Sequence, residues 1–415
     1  MKPPLRPGQR RPLLPGRIRS VLFWLHLAAG LAAGVVIFIL SVTGTLLMYE
    51  RQMTEWADQR DRSALPPGGP HLPVEALLAG LAASSGAAPS SVTLQSDPTM
   101  PAAVSLGRER TVYLDPVTGL VLGEGSQGAR LFFRKMTDWH RWLGAEGEKR
   151  SLFRGITGAC NLAFLVLLLS GPFLWLPKQW TWRQVRNVAW FRRGLSGKAR
   201  DFNWHNVIGL WTAAVLFLVV LTGVVMSYPW ANALLFRLAG DTPPPQRPEG
   251  GPRGEGGRRE GGRRGEAAGT LAHLDGLDEL WAVAERQVPG WKSLSLRLPT
   301  DGEAPVTFTI AKGHRGRPDL RAQLTLRRNG EIEKWEPFSA QSPGRRLRSW
   351  GRWVHTGEAG GFLGQTLAGL ASAGAAVLVW TGFALSWRRF VPRRKARPAE
   401  ETELSTTKDF LGERS

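Results

Sequence analysis

Cysteine is almost absent: Cys160 stands alone among 415 residues, so neither an intrachain disulfide framework nor a CxxC metal pair can form. Also missing are an HExxH helix, a GxSxG elbow and a Walker loop. Their absence removes the usual footholds of metalloprotease, serine-hydrolase and nucleotide-hydrolysing chemistry. Acidic residues are scarce, with 34 Asp and Glu against 54 Lys and Arg and a net charge of +20. Such an excess raises nucleic acid as a partner, but the arginines sit beside hydrophobic runs and in one low-complexity stretch, so no nucleic-acid partner is expected.

Long apolar runs are what the sequence does have. Residues 21–48, 156–176, 207–228 and 362–387 are each long enough to cross about 30 Å of hydrocarbon at about 1.5 Å per residue. The expected fold is a membrane protein with an all-α bundle of four transmembrane helices and two small α+β extracytoplasmic domains. The first run exceeds a signal-peptide core and lacks a small-residue cleavage site, so it reads as a retained span.

Short basic flanks set the expected orientation. The tail 1–20 carries Lys2, Arg6, Arg10, Arg11, Arg17 and Arg19, and the loop 177–206 carries only Lys and Arg from Lys178 to Arg200. The tail 388–415 opens with Arg388, Arg389, Arg393, Arg394 and Lys395. The positive-inside rule puts all three in the cytoplasm and both large loops outside.

An internal duplication organises the chain. His26, Gly30, Thr43 and Gly44 align with His205, Gly209, Thr222 and Gly223 at a constant offset of 179 residues, and Gly158 and Gly171 align with Gly369 and Gly382 at 211. Each repeat reads as span, outer domain, histidine-bearing segment, span. The outer domains cover 49–130 and 270–340, and the histidine-bearing segments 131–155 and 341–361. In the first domain a helix over 73–84 precedes strands "SVTLQS", "PAAVSLG", "RTVYLDP" and "LVLGE". In the second, "LDELWAVAERQV" precedes "KSLSLRL", "PVTFTIA" and "AQLTLRRNGEIEKW". Residues 241–269, rich in Gly and Arg, lack the apolar content to fold and read as a linker that is a solvated tether or touches anionic headgroups.

Four of the seven histidines lie in or beside the spans: "FWLHLAAGL" (His26), "TDWHRWLGAEG" (His140), "FNWHNVIGLW" (His205) and "GRWVHTGEAGG" (His355). Ionisable groups there are costly and mark function. On the expected topology His26 and His205 pair near the cytoplasmic face, and His140 and His355 near the outer face. Two b-type haems, each iron held by two imidazoles, suit this arrangement, and the missing CxxCH excludes only covalent c-type haem. The alternative is interfacial histidines within an aromatic belt supplied by the 18 tryptophans. Gly30 and Gly209, four residues after their histidines, either admit a flat macrocycle or permit close helix packing. Thr43-Gly44 and Thr222-Gly223, about 26 Å further along an ideal helix, either line the outer pocket or thin the helix and back-bond to it. Glu358 and Arg141 are candidates to tune the outer pair or to lie at the surface. His71, His273 and His314 lack metal-spaced partners and read as surface residues.

The elements "HLAAG…SVTGTLL", "DWHRWLG…LLLSGPFLWLPK", "NWHNVIGLW…LTGVV" and "WVHTGEAGGFLGQ…TGFALSW" resemble the bacterial PepSY-associated transmembrane helix proteins over about residues 17–391. The resemblance implies PepSY-type outer domains, the inner membrane, haem ligation by His26, His140, His205 and His355, and a role in iron uptake as a siderophore reductase. The substrate so implied is a ferric siderophore or other ferric complex. The donor would be a cytoplasmic reductase or a quinol, since no flavodoxin or ferredoxin-reductase domain follows the last span. The Gly/Arg stretch departs from the family pattern. The competing expectation is a membrane-anchored PepSY protein that binds peptides or inhibits a periplasmic peptidase. A permease is disfavoured by four spans without an intramembrane carboxylate.

Overall fold

The computed structural model describes residues 16–60, 69–85, 88–107, 110–175, 181–245, 274–299, 304–313 and 316–391. Most of the N-terminal tail, Lys178, most of the Gly/Arg stretch, His273, His314 and the basic residues beyond 391 lie outside the described residues. In chain order the helices are α1 (Gly16–Leu47), α2 (Glu50–Arg60), α3 (Val74–Ser85), α4 (Gln127–Trp142), α5 (Lys149–Trp175), α6 (Trp182–Ala189), α7 (Gly197–Ser227), α8 (Pro229–Leu238), α9 (Leu277–Gln287), α10 (Pro343–His355) and α11 (Gly361–Phe390). The strands are β1 (Ser91–Gln95), β2 (Ala102–Leu106), β3 (Arg110–Leu114), β4 (Val121–Glu124), β5 (Ser293–Arg297), β6 (Val306–Ala311), β7 (Arg321–Leu326) and β8 (Ile332–Pro337).

Helices α1, α5, α7 and α11 are long and apolar enough to cross a membrane, and the protein is a multi-pass membrane protein. α5 and α7 start well before the apolar runs at 156 and 207. The backbone stays helical through about two polar turns in α5 and nearly three in α7 that hydropathy does not register. In α7 that extension carries Asp201, buried and ion-paired with Arg388 at the end of α11. It also carries buried Asn203, which accepts from the Arg192 N–H and donates to the Asn187 and Trp190 carbonyls, fastening the loop that contains α6.

α1 packs against α5 and α11, and α7 against the same two, so α1 and α7 occupy one diagonal of the bundle. Small residues allow the close contacts. A Cβ on Gly34 would lie 2.7 Å from the Phe383 ring, a space only hydrogen fits. Gly158 and Gly369, one of the two glycine pairs aligned at offset 211, each receive a tyrosine from the end of a neighbouring span, Tyr228 on Gly158 and Tyr49 on Gly369. Buried Gln365 of α11 donates to the Met48 carbonyl at 2.8 Å and accepts from Gln52 at 2.6 Å, tying the end of α1 to α11.

The strands predicted in two domains form one eight-stranded antiparallel sheet, ordered β4-β3-β2-β1-β5-β6-β7-β8. β1 and β5 join the halves along five residue pairs, Ser91↔Arg297 to Gln95↔Ser293. Both strands alternate buried and half-buried residues, so one face of the whole sheet is apolar, and helices α3 and α9 cover it. The resulting core is common to both halves, with Leu77, Leu94, Leu114, Leu277, Leu294 and Phe308 each under 2 % exposed. The two helices also cap each other. The Glu75 N–H donates to the Asp278 carboxylate and the Asp278 N–H to that of Glu75, both at 3.2 Å, satisfying amides a helix start leaves free. The stretch "AQLTLRRNGEIEKW" is the β7–β8 hairpin, turned at Asn329-Gly330, where Gly330 takes φ +83°.

Candidate functional site

Two helices leave the sheet directly toward the bundle. α4 follows β4 and is capped by the Ser126 hydroxyl, which accepts from the Ala129 N–H. It ends two residues after His140, with Leu143 in the left-handed region at φ +50°. α10 follows β8, starts on Pro343 in the first turn and ends on His355. Its exit is fixed by Gly357 at φ +69°, where a Cβ would strike the α11 backbone at 2.8 Å. This turn is the core of the His355-Thr356-Gly357-Glu358 element.

The four membrane-associated histidines meet in two pairs. His26 of α1 and His205 of α7 have ring centroids 6.5 Å apart at 79°. Those of His140 and His355 are 6.4 Å apart at 61°. The first pair bridges the α1–α7 diagonal near the bundle end remote from the sheet, and the second lies at the sheet end. Helical rise separates the two levels by about 26 Å, counted over the 17 residues from His26 to Thr43.

Each imidazole is held the same way. Nδ1 of His26 lies 2.8 Å from Ser170 Oγ, Nδ1 of His205 2.9 Å from Thr381 Oγ1, Nδ1 of His140 3.0 Å from Thr43 Oγ1, and Nδ1 of His355 3.3 Å from Thr222 Oγ1. Backbone carbonyls join in: Val219 accepts from His355 Nδ1 at 2.8 Å, and Leu40 and Leu378 bond to His140 and His205. With Nδ1 occupied, Nε2 is the nitrogen each ring can offer to a ligand.

Next to every hydroxyl is a glycine under the same imidazole. A Cβ would stand 3.8 Å from His26 Cε1 at Gly171 and 3.7 Å from His205 Cε1 at Gly382. It would stand only 3.3 Å from His140 Cε1 at Gly44 and from His355 Cε1 at Gly223. From the sequence alone Thr43-Gly44 and Thr222-Gly223 stand between lining and packing, and Gly171 and Gly382 are repeat markers; the structure places all four glycines under imidazoles. Sequence reasoning alone misses Ser170 and Thr381. The available signal was a hydroxyl-glycine dipeptide in every span, although α5 carries a second one, Thr157-Gly158, that faces no imidazole.

Gly30 and Gly209 face leucines of neighbouring helices, at 3.9 Å from Leu167 Cδ2 and 3.7 Å from Leu378 Cδ2 for a notional Cβ. Arg141 stacks over the Trp142 ring at 4.6 Å, and Glu358 opens the 3-10 turn after Gly357. Burial pushes the His140 imidazole down to about 4, with His355 close by adding to it, and burial also lowers His355. Burial thus favours the neutral form of both, the form in which an imidazole ligates a metal.

Among the described residues no three His, Cys, Asp or Glu side chains converge, so a bare metal ion wanting four protein ligands has no site there. Each pair brings two imidazoles together, and His26, His205, His140 and His355 are the residues that could hold a group needing two nitrogen ligands.

Beside the sheet, buried Asp58 of α2 accepts from Arg130 of α4 at 2.8 Å, from the Tyr113 hydroxyl of β3 at 2.7 Å and from the Ser126 N–H at 2.7 Å. Burial pushes the Asp58 carboxyl up, but these bonds outweigh it and hold it below the usual carboxylate range. Burial and the bond to Asp58 push the Tyr113 phenol up to about 12. This cluster locks α2, the sheet and the start of the His140 helix together.

Comparison with curated proteins finds no match. The PepSY-associated TM region family matches residues 23–389, which covers nearly all of the four spans, both histidine pairs and the sheet, and the chain belongs to that family.

Proposed function

We propose that the protein holds two b-type haems, one between His26 and His205 and one between His140 and His355, and carries electrons across the bacterial inner membrane to a ferric complex outside. The ring separations of 6.5 and 6.4 Å carry this reading. A ligating imidazole nitrogen sits about 2 Å from its metal and about 1 Å from its own ring centre, so two imidazoles across one iron place their centroids about 6 Å apart. Imidazoles with Nδ1 hydrogen-bonded and Nε2 left over are what such ligation needs.

Bound haem would supply the one-electron chemistry, while the chain fixes the imidazoles and keeps water from them. Basic flanks at Arg17, Arg19, Arg388 and Arg389 orient the His26–His205 end to the cytoplasm by the positive-inside rule. The donor is a cytoplasmic reductase or a quinol, and the sheet and the His140–His355 end then face the periplasm. Reducing Fe(III) to Fe(II) there weakens the hold of hard oxygen ligands and frees iron from a siderophore with the chelator intact. On this reading the protein is a ferric-siderophore reductase-like oxidoreductase.

The test is a dithionite-reduced minus oxidised spectrum of the detergent-purified protein with a haem-to-protein ratio. Two b-type haems per chain are expected, and one in His205→Ala. Absence of a b-type α-band sinks the reading and favours a peptide-binding or peptidase-inhibiting role, for which the open sheet edges at β4 and β8 offer strand addition. Glu333, Lys334 and Glu336 on β8 work against that role, because charges guard an edge strand against pairing.

A further inference from the structure

The hydroxyls under the imidazoles share one geometry that fixes their protons. Ser170, Thr381, Thr43 and Thr222 each donate to the carbonyl four residues back, Val166 at 2.7 Å, Val377 at 2.8 Å, Ile39 at 2.7 Å and Leu218 at 2.7 Å. A hydroxyl whose hydrogen is so committed meets the imidazole with a lone pair. The carbonyls of Val219, Leu40 and Leu378, which can only accept, point to the same assignment at three of the four sites. Nδ1 therefore carries the proton and Nε2 the lone pair.

We propose that Ser170, Thr381, Thr43 and Thr222 are positioning residues that lock each histidine in the Nδ1–H tautomer and, by accepting that hydrogen bond, set how strongly Nε2 donates to a metal. This rests on the haem reading above. A ligand that donates Nδ1–H to a good acceptor is the stronger base at Nε2, as with the carboxylate and carbonyl partners of metal-bound histidines. A stronger donor favours the oxidised iron and lowers its potential. The sockets are also crossed: α5 and α11 hold the ligands of the inner pair, whereas α1 and α7, which carry those inner ligands, hold the outer pair. One substitution can therefore address one site at a time.

Thr381→Val keeps the shape and removes the hydroxyl acceptor, leaving only the Leu378 carbonyl, and Thr381→Ser keeps the hydroxyl. Thr43→Val and Thr43→Ser do the same for the outer pair. Each full-length variant is titrated potentiometrically with its spectrum recorded and its haem content measured. Thr381→Val is expected to raise the midpoint of one haem and leave the other in place, with the wild-type value restored in Thr381→Ser, and Thr43→Val is expected to shift the other haem. Loss of one haem in a valine variant with retention in the serine variant supports the same conclusion. Full haem content at unchanged potentials in both valine variants overturns the proposal, as does equal haem loss in valine and serine variants. A wild-type protein without haem is a different outcome, because it refutes the functional reading on which the sockets depend.

Discussion

His140 and Thr43 are 97 residues apart in the chain, yet Nδ1 of one lies 3.0 Å from Oγ1 of the other. His140 sits on a short helix leaving the sheet and Thr43 near the end of the first span. The contact is where the extramembrane sheet and the membrane bundle become one site.

The glycines beneath the imidazoles predict an asymmetry between the two pairs. Gly44→Ala and Gly223→Ala would set a methyl 3.3 Å from the His140 and His355 rings, whereas Gly171→Ala and Gly382→Ala would leave 3.8 and 3.7 Å. Crowding of the first kind costs ~1–3 kcal/mol, and the second kind is ordinary contact. If the protein holds two haems as proposed, haem-to-protein ratios should fall by up to half in the first two variants and hold in the other two.

Asp58→Asn is expected to cost about 3 kcal/mol, the lower end for breaking a buried ion pair, because Arg130 keeps 18 % of its side chain exposed. The loss should loosen α4 and so affect the His140–His355 site before the His26–His205 site. Loss of both spectral components in step would contradict that order.

The same carboxylate predicts a pH dependence. Its folded value lies below the ordinary one, so its stabilisation is complete above the unfolded value of about 4 and is lost as pH falls through the lower folded value. The melting difference between wild type and Asp58→Asn should thus be constant from about pH 7 to 5 and shrink below about pH 4. A difference that grew on acidification would show the sign to be wrong.

Leu294→Ala tests whether the sheet is one folding unit. The side chain is fully buried in a core shared by both halves, and its truncation should cost ~2–5 kcal/mol. Hydrogen exchange should then rise in β1–β3 as well as β5–β7. A rise confined to β5–β8 would mean that the halves are independent despite their pairing.

Asn203→Ala removes three hydrogen bonds to the largely exposed segment Asn187–Arg192, at ~0.5–1.5 kcal/mol for each bond lost. Limited proteolysis should cut this loop in the variant under conditions that spare wild type, with the fold of the sheet unaffected.

Four spans, the helix-then-strands order of both halves and the four histidines were legible because hydrophobic length, period-two alternation and costly ionisable groups leave local marks. The Ser170 and Thr381 sockets were not, since a hydroxyl in a span reads equally as a back-bonded packing residue, and only the opposing ring distinguishes the two.

The sequence by itself determined that this chain crosses a membrane four times and which imidazoles it places at the two ends of the bundle. The tertiary structure decided two further things. β1 pairs with β5, fusing two strand sets into one sheet, because an apolar face common to both halves is buried more completely when the edges join. Each histidine is also oriented by a helix other than its own, because a tautomer is fixed by whatever accepts its proton, and that acceptor lies 97 to 176 residues away in the chain.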